Sequence, residues 1–126
     1  MVVSTPQDVA LKVAQKAITM FNQLHTPVLG VIENMASYVC PCCGTRDDVF
    51  GAGGARHAAD RLGLPFLGEI PLATEIRTSS DAGRPIVLDP TSRFAKAYLD
   101  VAEKLAAQVS IRNMQREQTP LVQIQF

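Results

Sequence analysis

Apolar residues fall along the chain in short blocks whose spacing alternates between strand-like and helix-like. Val2-Val3 followed by Ser4-Thr5-Pro6-Gln7-Asp8 reads as the end of a short buried strand entering a helix. Ser4 or Thr5 is the expected cap, Pro6 suits the first turn, and Asp8 favours the positive end of the helix dipole. Val9, Val13, Ala14, Ala17, Ile18, Phe21 and Leu24 then recur at helical spacing, with Lys12, Gln15, Lys16, Asn22 and Gln23 opposite. The helix is predicted to end near His25-Thr26-Pro27, because proline disfavours a helical residue before it. Residues 28–32, Val28-Leu29-Gly30-Val31-Ile32, form a near-continuous apolar run, the pattern of a strand buried on both faces of a parallel sheet. Glu33-Asn34-Met35 is expected at its carboxyl end, where open α/β sheets place their ligands.

The second half continues the alternation. A helix is predicted from Ala55 to Leu62 with Gly63 as its stop, and a short buried strand over residues 65–71. A short helix is expected from Leu72 to Ser80, ended by Asp81-Ala82-Gly83. Residues 85–88 read equally as a strand or an extended arm. A last long helix opens from Asp89-Pro90-Thr91-Ser92, with Phe94, Ala97, Tyr98, Val101, Leu105 and Ala106 as its apolar stripe. The tail from Thr119 to Phe126 alternates apolar and polar residues, as an edge strand or a flexible end would. Strands alternating with helices imply a parallel α/β sheet. The pattern opens in mid-course, with half a strand and no first βα unit, so it reads as the second half of a doubly wound domain. Residues 1–109 are assigned to that partial domain and residues 110–126 to a C-terminal tail.

Composition narrows the classes. The chain has 126 residues, 47% hydrophobic and 19% charged, which suits one compact domain with a real core. Its formal net charge is zero, so the electrostatic footprint of a nucleic-acid binder is missing and no nucleic-acid partner is expected. No apolar run approaches the roughly 18 residues of a membrane span. The first residues lack the basic start and apolar stretch of a signal peptide. Three clustered cysteines do not make a disulfide framework, so a reducing, cytoplasmic setting is the default.

Those cysteines carry the candidate chemistry. All three lie in Val39-Cys40-Pro41-Cys42-Cys43-Gly44. Thiolates gathered in one loop suit soft metals, iron–sulfur clusters or thiol exchange. Cys40 and Cys43 have the C-x-x-C spacing, which lets two sulfurs reach one metal or each other. A tetrahedral site needs four ligands. The two histidines, His25 and His57, stand at no finger-like spacing from the cysteines, and neither is assigned a function. A metal held here therefore needs ligands from a second chain or a partner.

Taken with its flanks, the loop is the centre of a series of ordered motifs. They are residues 3–10 (Val3-Ser4-Thr5-Pro6-Gln7-Asp8-Val9-Ala10), residues 27–35 ending in Glu33-Asn34-Met35, and Cys40-Pro41-Cys42-Cys43-Gly44. Phe50-Gly51 through Gly54-Ala55-Arg56, residues 62–72 around Leu67-Gly68-Glu69-Ile70-Pro71, Ile76-Arg77, and Ser80 through Pro85 follow in order. Over residues 2–105 the sequence resembles the Mrp/ApbC family of iron–sulfur cluster carriers, which are MinD-like P-loop ATPases. The fold this implies is α/β, the C-terminal half of a doubly wound, mainly parallel P-loop NTPase sheet with flanking helices. The resemblance further implies a homodimer in which C-x-x-C pairs from two subunits bridge one [4Fe-4S] cluster for transfer to apo iron–sulfur proteins. Carried over, the metal ligands are Cys40 and Cys43. Cys42 departs from the usual two-cysteine pattern and is either an alternate ligand or a bystander. Asn34 and Pro71 match the family's adenine-contacting positions. ATP and magnesium belong to the full-length family. No G-x-x-x-x-G-K-[ST] phosphate loop is present here, and Gly51-Ala52-Gly53-Gly54 lacks the lysine, so this chain is not expected to hydrolyse ATP alone.

Blander readings stand beside these. The thiolates suit a structural zinc loop completed by dimerisation, giving an interaction module without catalytic activity. Cys40-Pro41-Cys42-Cys43 also matches a dithiol C-P-x-C, although Gly44-Thr45-Arg46-Asp47-Asp48 after it reads as a loop rather than the helix that would lower a thiol pKa. Asn34 can close a turn on its own backbone. Gly53 and Gly54 read as turn and helix-entry residues, Arg77 and Arg84 as surface charges, and Pro71 as a strand terminator.

Overall fold

The computed structural model describes residues 1–117, so the alternating tail at 119–126 lies outside the described residues. The elements in chain order are β1 (Val2–Ser4), α1 (Asp8–Gln23), β2 (Val31–Val39), β3 (Arg46–Asp47), α2 (Gly54–Leu62), β4 (Phe66–Leu72), α3 (Thr74–Asp81), a 3-10 turn (Ile86–Leu88) and α4 (Ala95–Glu117). The sheet has four strands. Central β2 runs parallel to β1 through Val2↔Val31 and Ser4↔Glu33, and parallel to β4 through Glu33↔Glu69 and Asn34↔Ile70. Tyr38 pairs with both Asp47 of β3 and Leu72 of β4, so antiparallel β3 lies on the β1 side of β2, beyond the end of β1. The α/β class and mainly parallel sheet agree with the sequence pattern.

Helices cover both faces. On one, Val2, Ile18, Val31, Ala55 and Ala59 form a core under α1 and α2, joined by Leu11, Phe21, Leu62 and Phe66. On the other, Ile32, Leu67, Ile70 and Val101 pack with Ile76, Ala97, Tyr98 and Leu105 of α3 and α4. Alternation along β2 assigns Val31 to one core and Ile32 to the other, as the period of two requires. The α4 stripe matches its prediction except at Ala106, which is exposed. The α1 stripe is rotated: Leu11, Ala14, Ile18 and Phe21 meet the core, while Val9 and Val13 are 76% and 64% exposed. Among the described residues the outer edge of β1 has no partner strand, and Val3 stands 51% exposed beside it. No helix among the described residues is long and apolar enough to cross a membrane.

Several boundaries differ from the periodicity reading. The central strand begins at Val31 and continues to Val39, so Glu33-Asn34-Met35 lies inside it, not past its end. Past the apolar run the strand still has partners on both sides, since Tyr38 pairs with β3 and β4, and it buries Ala36 and Ser37, whose small or polar side chains give no apolar pattern. Gln7, not Ser4 or Thr5, is the N-cap of α1, no side chain caps it, and Pro6 precedes the helix. Residues 86–88 form neither strand nor arm but a 3-10 turn, and α3 starts at Thr74 because β4 runs on through Pro71 and Leu72. In α4 the first helical residue is Ala95, the helix continues past residue 109 to Glu117, and Asp89 and Ser92 bond the backbone N–H groups of Thr91 and Phe94 ahead of it.

Candidate metal centre

The cysteines occupy the tip of a hairpin. Strands β2 and β3 pair through Tyr38↔Asp47 and Val39↔Arg46, leaving residues 40–45 as the turn. Inside it the Cys40 N–H donates to the Thr45 carbonyl at 3.0 Å, and the Gly44 N–H donates to the Cys40 carbonyl at 2.9 Å. Gly44 has φ +72° with open space around it, a left-handed conformation that costs glycine least. Backbone bonds therefore close the C-x-x-C turn without help from a metal. All three thiols are free; Cys42 and Cys43 are exposed and Cys40 is half-buried.

The Cys43 sulfur lies 3.0 Å from the Thr45 hydroxyl. Hydrogen bonds from the Thr45 hydroxyl first, then its backbone, then the Cys40 side chain hold the Cys43 thiol below its ordinary value. Among the described residues no group of three or more His, Cys, Asp or Glu side chains converges as a metal site. Both histidines lie elsewhere: His25 closes α1 in a left-handed conformation (φ +55°), donating its N–H to the Asn22 carbonyl, and His57 is exposed on α2.

Two features aim the hairpin. The β2–β4 register shifts between Asn34 and Tyr38, and Met35 adopts φ +56°, rare for a residue with a side chain. This irregularity separates the core part of β2 from the part that carries the cysteines. The return arm is fastened by Glu33. Its carboxylate is 1% exposed, yet it accepts the N–H of Gly53 at 3.1 Å and of Ala55 at 2.6 Å, across 20 and 22 residues. Gly53 is the N-cap of α2 and has no side chain to offer, so Glu33 supplies the missing cap from the sheet. Gly54 is needed here as well, because a Cβ would sit 2.5 Å from the Pro6 carbonyl. Farther out, Glu69 on β4 bridges to Arg56 of α2 at 3.2 Å and to Arg46 of the hairpin at 3.8 Å.

Glu33 also decides what the glycine-rich stretch does. The two amides a phosphate would seek at the start of α2 already hold a carboxylate, whose charge repels an anion. Residues 51–54 thus do not fit a nucleotide phosphate. Asn34 and Pro71 are brought near each other, since Asn34 pairs with Ile70 and Pro71 follows on the same strand. The Asn34 side-chain Oδ1 accepts the Met35 N–H at 3.0 Å, a bond to its own neighbouring backbone, although the residue lies in a strand and not a turn. Its side chain also borders an apolar concavity of about 350 Å³ with Ile70, Tyr98 and Val101.

Sequence reasoning missed Thr45 and Glu33. Thr45 has the weaker signal, a hydroxyl two residues after Cys43. For Glu33 the signal is a carboxylate following directly on a buried apolar run.

Known proteins share this arrangement of elements and motifs. The family model for the NUBPL iron-transfer P-loop NTPases, within ParA, matches residues 1–106. An iron–sulfur cluster carrier protein of Deinococcus radiodurans is 47% identical over 124 residues, 96% of this chain and 35% of that protein. An Arabidopsis thaliana iron–sulfur protein required for NADH dehydrogenase, mitochondrial, is 48% identical over 105 residues, 82% of this chain and 34% of that one. Among solved structures, an Archaeoglobus fulgidus nucleotide-binding protein in complex with ADP superposes with TM-score 0.59 at 42% identity, over 73% of this chain and 40% of that one. The cell division ATPase MinD of Pyrococcus furiosus gives TM-score 0.62 at 25% identity, over 83% of this chain and 41% of that one. The chain thus spans about a third of the length of the curated relatives it matches. With its P-loop NTPase fold and a family match over residues 1–106, the chain belongs to the NUBPL iron-transfer P-loop NTPase family.

Proposed function

We propose that this chain is the cluster-holding part of an iron–sulfur carrier, in which Cys40 and Cys43 of two copies together bind one [4Fe-4S] cluster and pass it to apo iron–sulfur proteins. The observation that carries this reading is a C-x-x-C pair closed by backbone bonds at an exposed tip, with only two of the four sulfurs that a cubane needs. The relatives' names supply the cargo, and the ligand count supplies the second copy. Because each chain offers two ligands at its surface, an acceptor's thiolates can replace them one at a time without unfolding the donor. Cys42, free and exposed between them, is left outside the ligand set in this proposal.

Nucleotide use belongs, in this proposal, to the full-length proteins of the family. This chain carries no G-x-x-x-x-G-K-[ST] loop, and Glu33 already fills the amides at the start of α2, so it is not expected to hydrolyse ATP alone. Asn34 and Pro71 are proposed to contribute to the adenine side of a complete site. The free thiols call for a reducing compartment, and we place the activity in the cytoplasm.

Anaerobic reconstitution with iron and sulfide tests the proposal. Wild-type chain should turn brown and then lose its cluster to an apo-ferredoxin, while Cys40→Ser and Cys43→Ser should stay colourless. Failure of the wild type to take up iron and sulfide, with zinc bound instead, would leave a zinc-stapled interaction module.

A further inference from the structure

The hairpin carries three thiols, and two of them, Cys42 and Cys43, are adjacent and exposed. Spacing favours Cys43 as the partner of Cys40 but does not explain what holds its sulfur in place at a tip open to water. A neighbouring hydroxyl does. Thr45 Oγ1 is 3.0 Å from Cys43 Sγ, and among the described residues no hydroxyl approaches Cys40 or Cys42 in this way. Thr45 is itself well placed to act. Its carbonyl accepts the Cys40 N–H at 3.0 Å, so the same residue is fixed against the first ligand by its backbone and against the second by its side chain. A β-branched residue such as threonine also has few χ1 states, which limits how far the hydroxyl strays.

We propose that Thr45 is a positioning residue for metal ligation: its hydroxyl donates to the Cys43 sulfur, selecting Cys43 over Cys42 as the partner of Cys40 and tuning the bond that sulfur makes. This inference rests on the carrier reading for its cargo, but the geometry it invokes lies wholly within one hairpin. On ligation the Cys43 thiol releases its proton to solvent and its sulfur lone pair forms the bond to the metal. Thr45 keeps its own proton and remains a donor to the bound sulfur. Hydrogen bonds to ligand sulfurs set reduction potentials, and groups that orient ligands carry a large share of metal affinity.

Thr45→Val is the informative variant, since valine keeps the shape and β-branching, leaves the backbone bonds intact and removes only the O–H. Thr45→Ser restores the hydroxyl. The full chain would be titrated anaerobically with Co²⁺ alone, following the thiolate-to-cobalt charge-transfer absorption, and separately reconstituted with iron and sulfide for potentiometry. Thr45→Val should bind cobalt about 10-fold more weakly, shift the charge-transfer band and make the cluster potential more negative. Thr45→Ser should return all three towards wild type, and Cys42→Ser should change none of them. The thermal midpoint should stay put throughout, because Thr45 is exposed. Equal cobalt affinity, band position and potential in wild type and Thr45→Val would overturn the role of Thr45 and leave the carrier reading intact. Wild type that binds cobalt with the Thr45 dependence but takes up no iron and sulfide would overturn the carrier reading and leave Thr45 as a positioning residue. A wild type that binds neither overturns both.

Discussion

Strand β2 passes through two regions of the molecule built on opposite terms. Over residues 31–33 it is flanked by parallel strands on both sides and covered by helices on both faces, with Val31 and Ile32 2% and 5% exposed. A few residues later the same strand becomes one arm of a hairpin whose tip, residues 41–45, is exposed. The first region is held by apolar burial, which is non-directional and strong in aggregate. The second is held by a handful of directed bonds: two backbone bonds in the turn, one hydroxyl on a sulfur, one buried carboxylate at the root. The packed core and the cysteine-bearing tip are thereby kept apart, with the irregularity at Met35 between them. Damage to one region should therefore leave the other largely untouched.

The largest expected effect comes from hollowing the core. Leu67 is 1% exposed beneath α4, and Leu67→Ala should cost about 2–5 kcal/mol in denaturant unfolding while any remaining folded chain binds cobalt normally. Next is Glu33→Ala, which strands two amides at the root of the hairpin and should cost about 1–3 kcal/mol. Being at the junction, Glu33 is the one position expected to disturb both regions; a variant with normal stability and normal metal binding would show that the clamp is idle. Arg46→Ala removes exposed ion pairs to Asp48 and Glu69, and its cost should stay below about 1 kcal/mol. At the tip, Cys40→Ser and Cys43→Ser should leave stability within about 0.5 kcal/mol of wild type, while each should abolish the proposed metal binding. A large loss of stability in either serine variant would mean that the tip is part of the core after all.

The thiol chemistry gives the finest test. Hydrogen bonding lowers the Cys43 pKa in the folded chain, so below the ordinary thiol value more of it is thiolate than in the unfolded chain. Iodoacetamide should alkylate Cys43 faster in the metal-free folded chain than in urea near neutral pH, with the ionisation advantage vanishing above the ordinary thiol value. Equal rates at every pH would mean that the Thr45 contact does not persist in solution.

Much of the first region was legible in the sequence. The apolar blocks located the sheet, the α4 stripe was nearly right, and Gly63 marked the end of α2. Local signals failed where tertiary contacts decide. Val9 and Val13 have helical spacing but turn away from the core, because periodicity fixes a stripe and not which neighbouring stripe meets the sheet. Strand β2 ran beyond its apolar block, since the residues it buries there, Ala36 and Ser37, are small or polar and leave no apolar run to read. At the candidate centre the C-x-x-C pair, Cys40 and Cys43, stands out in the sequence itself. Glu33 and Thr45 could not, because each works through a partner that only the fold brings near: amides 20 and 22 residues away for Glu33, and a sulfur across a tight turn for Thr45.

The central claim is that one chain supplies half a site, and the mass of the loaded protein tests it most directly. Native mass spectrometry of the chain before and after anaerobic loading should show a monomer becoming a pair of chains that carries about four irons and four sulfides, with Cys40→Ser and Cys43→Ser remaining single and empty. A loaded species that stays monomeric, or a pair of chains that forms equally well without iron and sulfide in the serine variants, would contradict it.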